Sequence, residues 1–210
     1  MDDYAGHVRT LVSLLAIVNP LGAVPVFISL TSDTPLQERG HIARMSATSV
    51  AMILVFAVWI GEPFLHFFGT SIGAFRVAGG LLILLMGIAM LHGRISEAKH
   101  TAAEAKEAKE KETIAIVPLA IPLMAGPGAI SLVIVDAHHA SNYGSKFLLS
   151  VGVVVVSLLV WTALQLAGSL SRALGTTGIN IATRVMGLIL ASVGVEFIAS
   201  GLKQLIPGLG

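Results

Sequence analysis

An apolar stretch near the N-terminus is interrupted by Asn19, Pro20, Gly22 and Pro25. Proline has no N–H, so a helix that passes through Pro20 and Pro25 loses backbone hydrogen bonds at both places. A freed carbonyl accepts a hydrogen bond from an ammonium or a hydroxyl, and the N-terminus of the next half-helix presents N–H groups to a carboxylate. These two features fit a zwitterionic ligand.

A second apolar stretch carries the same kind of interruption at Pro122, Gly126, Pro127 and Gly128. Unpaired backbone groups are costly in hydrocarbon, so such breaks persist only where protein or a water-filled cavity supplies partners. Both sets of residues are therefore candidate substrate-binding residues. The glycines Gly22 and Gly128 are expected to let the backbone approach a ligand closely. The alternative is that the prolines only kink the helices for packing.

Three charged residues lie within otherwise apolar stretches: Arg76, Arg184 and Glu196. A carboxylate inside a membrane is a candidate proton carrier or cation site, which makes Glu196 the candidate coupling residue. The alternative is a hydrogen-bonded glutamate, or one near the membrane surface. Arg76 and Arg184 are candidates for two gates or for interface anchors. The segment Asp136–His139 has metal-capable side chains, but no further ligand is obvious, and we expect no metal site.

The composition explains where these residues must lie. Of the 210 residues, 55% are hydrophobic and only 12% are charged, whereas soluble domains carry about a quarter charged residues. Because a bilayer core needs about 20 apolar residues in a helix, the sequence predicts an all-α membrane protein with six transmembrane helices, the first and fourth of them broken. The predicted spans are Leu11–Leu30, Met45–Ile60, Ile72–Leu91, Ile114–Val135, Phe147–Leu170 and Ile181–Leu202.

Several function classes find no support in the residues. The net charge of +1 gives no electrostatic basis for nucleic-acid binding. The chain has no cysteine, which excludes thiolate catalysis and disulfides. Since no Ser-His-Asp order, phosphate-binding loop or HExxH motif is present, we expect neither an enzyme nor a cofactor.

The basic residues predict the orientation of the chain. With six spans, nine basic residues fall on the side of the central loop and four on the side of both termini. Because basic residues concentrate on the cytoplasmic side, both termini are expected outside the cytoplasm. The central loop Arg94–Glu112 carries five acids and five bases and is expected to be a solvated linker helix.

The two parts of the chain that flank this linker resemble each other. The segments Leu21–Val24 and Gly69–Ser71 recur 106 positions later, and Arg76–Leu82 recurs at Arg184–Leu190 after a two-residue insertion. We therefore expect a first three-helix repeat at 1–93, the linker at 94–113 and a second repeat at 114–210. Three spans are an odd number, so the second repeat would be inverted, as in many transporters.

At the level of motifs, the sequence resembles the MarC family of bacterial membrane proteins. The segment Asn19–Phe27 is similar to that family's NPxGxxPxF signature, Pro122–Ile130 to its second signature and Arg184–Leu190 to its last-helix pattern. The resemblance covers essentially the whole chain. It implies a multi-pass protein of the bacterial inner membrane, and some relatives in the family are described as neutral amino-acid transporters.

The expected function is therefore a secondary transporter of small neutral amino acids or similar solutes, with coupling to protons or sodium left open. The alternatives are a passive small-solute channel with paired half-helices and a membrane accessory protein that carries nothing. The expected partners are the lipid bilayer and a small-molecule substrate. Whether the chain forms a homo-oligomer is left open, and no nucleic-acid partner is expected.

Overall fold

The structure is a computed structural model, which describes residues 2–31, 34–92, 119–120, 123–140 and 142–206. This part of the chain is all-helical and contains no strand. Its helices are α1 (Asp2–Val18), α2 (Pro20–Leu30), α3 (Leu36–Phe67), α4 (Ile72–Leu91), α5 (Pro127–His139), α6 (Tyr143–Gln165) and α7 (Ala167–Leu205). The predicted linker at 94–113 and the candidate binding residue Pro122 lie outside the described residues.

Five helical segments are long and apolar enough to cross a membrane. They are Val8–Leu30 (which joins α1 and α2), Gln37–Phe67, Ile72–Leu91, Tyr143–Gln165 and Thr177–Leu205. The predicted fourth span, Ile114–Val135, is described only in part. Its described helix, α5, has 13 residues, which is too short to cross a bilayer alone.

The bounds of α3 and α6 differ from the predicted ones. Helix α3 begins at Leu36 rather than at Met45, because the polar segment before Met45 continues the same helix. Helix α6 ends at Gln165, and Leu166 separates it from α7, although the apolar run continues to Leu170. The predicted span Ile72–Leu91 coincides with α4 at both ends.

Left-handed glycines mark two turns of the chain. Gly69 lies before α4 with φ 66°, and Gly175 interrupts α7 with φ 60°. This region of backbone space is readily adopted only by glycine. The two glycines are related by the same 106-residue offset that relates the sequence segments.

Helices α4 and α7 pack antiparallel with their backbones in close contact. Glycines spaced seven residues apart on each helix face one another: Gly73 with Gly201, Gly80 with Gly194, and Gly87 with Gly187. A Cβ added to Gly80 would lie 2.8 Å from the carbonyl oxygen of Gly194, and one added to Gly187 would lie 2.9 Å from that of Gly87. Small residues that let helix backbones approach are a common basis of helix association in membranes.

The half-helix α5 lies at the centre of the bundle. It packs against α1, α3, α4 and α6, and its residues Ala129, Val133 and Val135 are fully buried. Helix α3 packs against α6, and α2 packs against α6 and α7. The core therefore surrounds the junction between α1 and α2 and the start of α5.

Candidate functional site

The first break lies at Asn19. This residue adopts a left-handed conformation with φ 47° and ψ 66°, and it is the only described non-glycine residue with a positive φ. Helix α1 ends before it, and α2 begins after it with Pro20 in its first position. Asn19 is 4% exposed, so the break is buried among the helices.

The side chain of Asn19 caps the helix that follows. Its Oδ1 accepts a hydrogen bond from the N–H of Gly22 at 3.1 Å. A Cβ added to Gly22 would lie 2.8 Å from Asn19 Cγ, so the missing side chain of Gly22 makes room for Asn19. Gly22 therefore faces the Asn19 side chain, and the predicted close approach of Gly22 to a ligand stays a prediction.

The second break lies at Gly126. Just before it, the N–H of Ala125 donates to the carbonyl of Ala120, five residues earlier, at 2.8 Å, which is the wider turn of a π-helix. Gly126 is extended, with φ −76° and ψ 178°, and α5 begins at Pro127 without a side-chain cap among the described residues. Since the first N–H groups of a helix have no intrahelical partner and no described side chain caps α5, the N–H groups of Gly128 and Ala129 are candidates to bind a ligand.

The two breaks lie side by side. A Cβ added to Gly128 would lie 3.6 Å from Ile17 Cγ2, 3.1 Å from Ile83 Cγ1 and 3.4 Å from Met86 Sδ. Ile17 is in the last turn of α1, so the carbonyl end of α1 meets the N–H end of α5. Helix dipoles place partial negative charge at the first end and partial positive charge at the second.

The predicted binding residues differ in burial. Those that lie inside the bundle are Asn19, Pro20, Gly22, Gly126 and Gly128, whereas Pro25 and Pro127 are exposed on its surface. The residues beside Gly128 fill the space at the breaks in this conformation. A solute that binds between the breaks therefore requires Ile83, Met86 or Ile17 to move.

Charged and polar residues from four helices meet where α1 begins and α7 ends. We call this group the Arg9-end cluster; its members are Arg9 and Thr10 of α1, Arg76 of α4, Asp136 and His139 of α5, and Glu196 of α7. Arg9 forms an ion pair with Glu196, and Thr10 hydrogen-bonds Asp136. Arg76 Nη1 lies 3.5 Å from His139 Nε2.

Further polar contacts surround this cluster. His138 Nδ1 lies 2.7 Å from Glu62 Oε1, and Lys146 Nζ lies 3.5 Å from Glu62 Oε2. The indole N–H of Trp59 donates to Ser150 Oγ at 3.1 Å. These contacts join α3 to α5 and α6 at the same end of the bundle.

The remaining charged candidate, Arg184, lies elsewhere. In the antiparallel register of the glycine pairs, Arg184 is level with Met90, about 21 Å along the axis from Arg76. Arg184 is exposed, whereas Arg76 is partly buried. Within the described residues, no group of three or more metal-capable side chains is close enough to hold a metal ion.

Sequence reasoning considered Arg76, Asp136 and Glu196 one at a time and missed the cluster. The signal that was present is that all three are charged residues at the ends of apolar runs on the same predicted side of the membrane. The partners Arg9 and Thr10 were invisible because they belong to a polar helix end. Their proximity depends on helix packing, which the sequence pattern does not encode.

Long apolar helices, two buried backbone breaks and charges gathered towards helix ends together define a multi-pass integral membrane protein. Comparison with known proteins leads to the same class of protein. The sequence pattern of the MarC family integral membrane proteins matches residues 5–206. The chain belongs to the MarC family.

Relatives in this family cover almost the whole chain. The UPF0056 membrane protein YhcE of Escherichia coli is 41% identical over 209 residues, which is 99% of this chain and 96% of YhcE. The UPF0056 membrane protein BU267 of Buchnera aphidicola is 39% identical over 99% of this chain and 96% of the length of BU267. The UPF0056 membrane protein MJ1677 of Methanocaldococcus jannaschii is 42% identical over 91% of this chain and 93% of the length of MJ1677. No solved structure matches the chain.

Proposed function

We propose that this protein is a secondary transporter of small neutral amino acids or similar small solutes. The observation that carries the proposal is the meeting of two buried helix breaks, at Asn19 and Gly126, in the middle of the bundle. Broken helices in corresponding positions of a membrane protein are typical of a solute site near the bilayer midplane.

The polarity of the two breaks favours a zwitterion. The last carbonyls of α1 lose helical partners because Asn19 turns out of the helix and Pro20 has no N–H. They are suited to an ammonium group. The uncapped N–H groups at the start of α5 are suited to a carboxylate. Since Ile17 lies beside Gly128, a single small solute can contact both the carbonyl end of α1 and the N–H end of α5.

The helix arrangement also supports two inverted repeats, 1–93 and 114–210. Helices α3 and α4 of the first repeat pack against α6 and α7 of the second, respectively. Helix α2 packs against α6 and α7, and α5 packs correspondingly against α3 and α4. This exchange of contacts is what a two-fold relation between the repeats requires, and the left-handed Gly69 and Gly175 obey the same relation.

The proposal includes a location and a coupling residue. The excess of basic residues on the linker side favours both termini outside the cytoplasm of a bacterial inner membrane. We propose Glu196 as the coupling residue, with Arg9 as its partner. A proton or sodium ion bound at Glu196 competes with Arg9, so binding of the ion would release α1 from α7.

A transport assay tests the proposal directly. The purified chain is reconstituted in proteoliposomes, and uptake of radiolabelled small neutral amino acids is measured with and without proton and sodium gradients. Accumulation above the external concentration is the expected result. Flux that only equilibrates the solute would instead identify a passive channel, and absence of flux for the whole panel would indicate an accessory protein.

A matched pair of variants locates the site in the same assay. Gly128→Val places a branched side chain between the two breaks. The side chains of Ile83 and Ile17 lie within van der Waals distance of the added Cβ. We expect this variant to abolish flux. Gly168→Val adds the same side chain to α7 at a position with no other atoms within 4 Å, and it should transport normally. Equal flux in the two variants would place the solute elsewhere.

A further inference from the structure

The Arg9-end cluster ties the helices that carry the breaks to the α4–α7 pair. Helix α1 is held to α7 by the Arg9–Glu196 ion pair. Helix α5 is held to α4 by the contact between His139 and Arg76. The guanidinium of Arg76 also lies 5.1 Å from the centre of the Phe197 ring, so Arg76 bridges α4, α5 and α7.

The cluster closes one route from the breaks to the surface of the bundle. Helices α1 and α5 run antiparallel from the breaks, where Ile17 lies beside Gly128, to the cluster, where Thr10 bonds Asp136. Between these two levels the helices bury apolar side chains, including Leu14 and Val133 at 0% exposure. A solute at the breaks is separated from this end by apolar packing with a charged layer above it.

The contacts in the charged layer are easily exchanged. Arg76 Nε is buried and has no hydrogen-bond partner among the described residues, and its contact with His139 is long at 3.5 Å. An unpaired buried donor is unfavourable, so Arg76 stabilises this arrangement only weakly. The side chains of Arg9 and Glu196 are 65% and 51% exposed, so their ion pair is not enclosed by the helices.

We propose that Arg9, Arg76 and Glu196 form the gate at this end of the protein. In the closed state they hold the ends of α1 and α5 on the α4–α7 pair. Opening separates Arg9 from Glu196 and moves α1 and α5 away from the pair, which exposes the breaks. This inference rests on the proposed transport function, because it assigns the cluster to one step of solute passage.

Distance measurements test the gate without any assay of transport. The chain has no cysteine, so Gly6→Cys and Lys203→Cys provide two unique sites for spin labels, one on α1 and one near the end of α7. Gly6 has no other atoms within 4 Å of an added side chain, and Lys203 is exposed. The distance distribution between the labels is then measured by pulsed electron paramagnetic resonance in liposomes without solute.

Removal of either gate cation should favour the open state. Arg9→Gln is expected to raise the ratio of long to short distances about two- to five-fold, the effect of losing one partly exposed ion pair. Arg76→Gln loses the contacts with His139 and the Phe197 ring and should raise the ratio by about the same factor. Exchange of the charges, Arg9→Glu with Glu196→Arg, should restore the short distance. Arg184→Gln is the matched control, because it removes the corresponding arginine of the other repeat.

Two results would overturn the gate. One is an unchanged distance distribution in both glutamine variants, and the other is an equal change in Arg184→Gln. Because no solute is present, either result leaves the transport proposal intact. Conversely, a gate that opens as expected in a protein without measurable flux would contradict the transport proposal alone.

Discussion

At the scale of single residues, Asn19 combines two properties that few side chains share. Asparagine tolerates the left-handed conformation better than other non-glycine residues, and its amide oxygen caps the next helix at Gly22. Both properties are needed for the chain to stop one helix and start another within one residue. The neighbouring Pro20 then fits the first position of α2, where no N–H is required.

Substitutions of Asn19 separate its structural role from a role in binding. Asn19→Ala should lower the free energy of unfolding by about 2 kcal/mol, because it loses the cap and forces alanine into a left-handed conformation. Asn19→Gly keeps the backbone conformation and should cost only about 0.5 kcal/mol. The midpoint of thermal unfolding in detergent measures both. If the glycine variant is stable yet binds solute with normal affinity, Asn19 has a structural role only.

The coupling role proposed for Glu196 leads to a second residue-scale prediction. Glu196→Gln mimics the protonated acid and cannot pair with Arg9 as an ion. We expect the variant to lose uphill accumulation in proteoliposomes while it retains solute exchange between the two sides. Asp136→Asn, which changes a neighbouring carboxylate of the same cluster, is the control. Accumulation at the wild-type level by Glu196→Gln would exclude Glu196 from coupling.

At the scale of helices, the contact between α4 and α7 depends on the absence of side chains. A Cβ added to Gly87 would lie 2.6 Å from the backbone nitrogen of Ala191 and 2.7 Å from the carbonyl oxygen of Gly187. Because both atoms belong to the backbone, rotation of a side chain cannot relieve the clash. The whole helix must shift instead.

Alanine substitutions should therefore be costly in this contact and harmless elsewhere. Gly87→Ala and Gly194→Ala are each expected to lower the free energy of unfolding by about 1–3 kcal/mol, the usual cost of overpacking. Gly168→Ala, at an open position of α7, should leave stability unchanged or raise it slightly. Thermal unfolding in detergent compares the three. Equal stability of Gly87→Ala and Gly168→Ala would show that the helices adjust without strain.

The sequence predicts the helices well and their junctions less well. Apolar runs identify α4 completely, and the Pro/Gly clusters identify the two breaks. The length of α3 was missed because its first turns are polar, and hydropathy reports burial in lipid rather than helix length. The room that Gly22 makes for the Asn19 side chain was not predicted, because it depends on where that side chain points. The Arg9-end cluster required the relative placement of six residues on four helices.

At the scale of the whole molecule, the predicted orientation is open to a direct test. Single cysteines at Gly6 and Ala103 of this cysteine-free chain are exposed to a membrane-impermeant maleimide in intact cells. Labelling at position 6 but not at position 103 is expected, because basic residues concentrate on the linker side. Permeabilised cells, in which both positions react, are the control. The reverse pattern in intact cells would require the opposite orientation.

The glycine contacts of α4 and α7 also restrict how such a molecule changes shape. One helix of this pair belongs to each proposed repeat, and their backbones touch at three levels. The repeats therefore cannot rock against each other as two rigid bodies without breaking these close backbone contacts. In the proposed transport mechanism the pair would instead be stationary, and the movements would occur in α1, α2 and α5, the short segments that end or begin at the breaks.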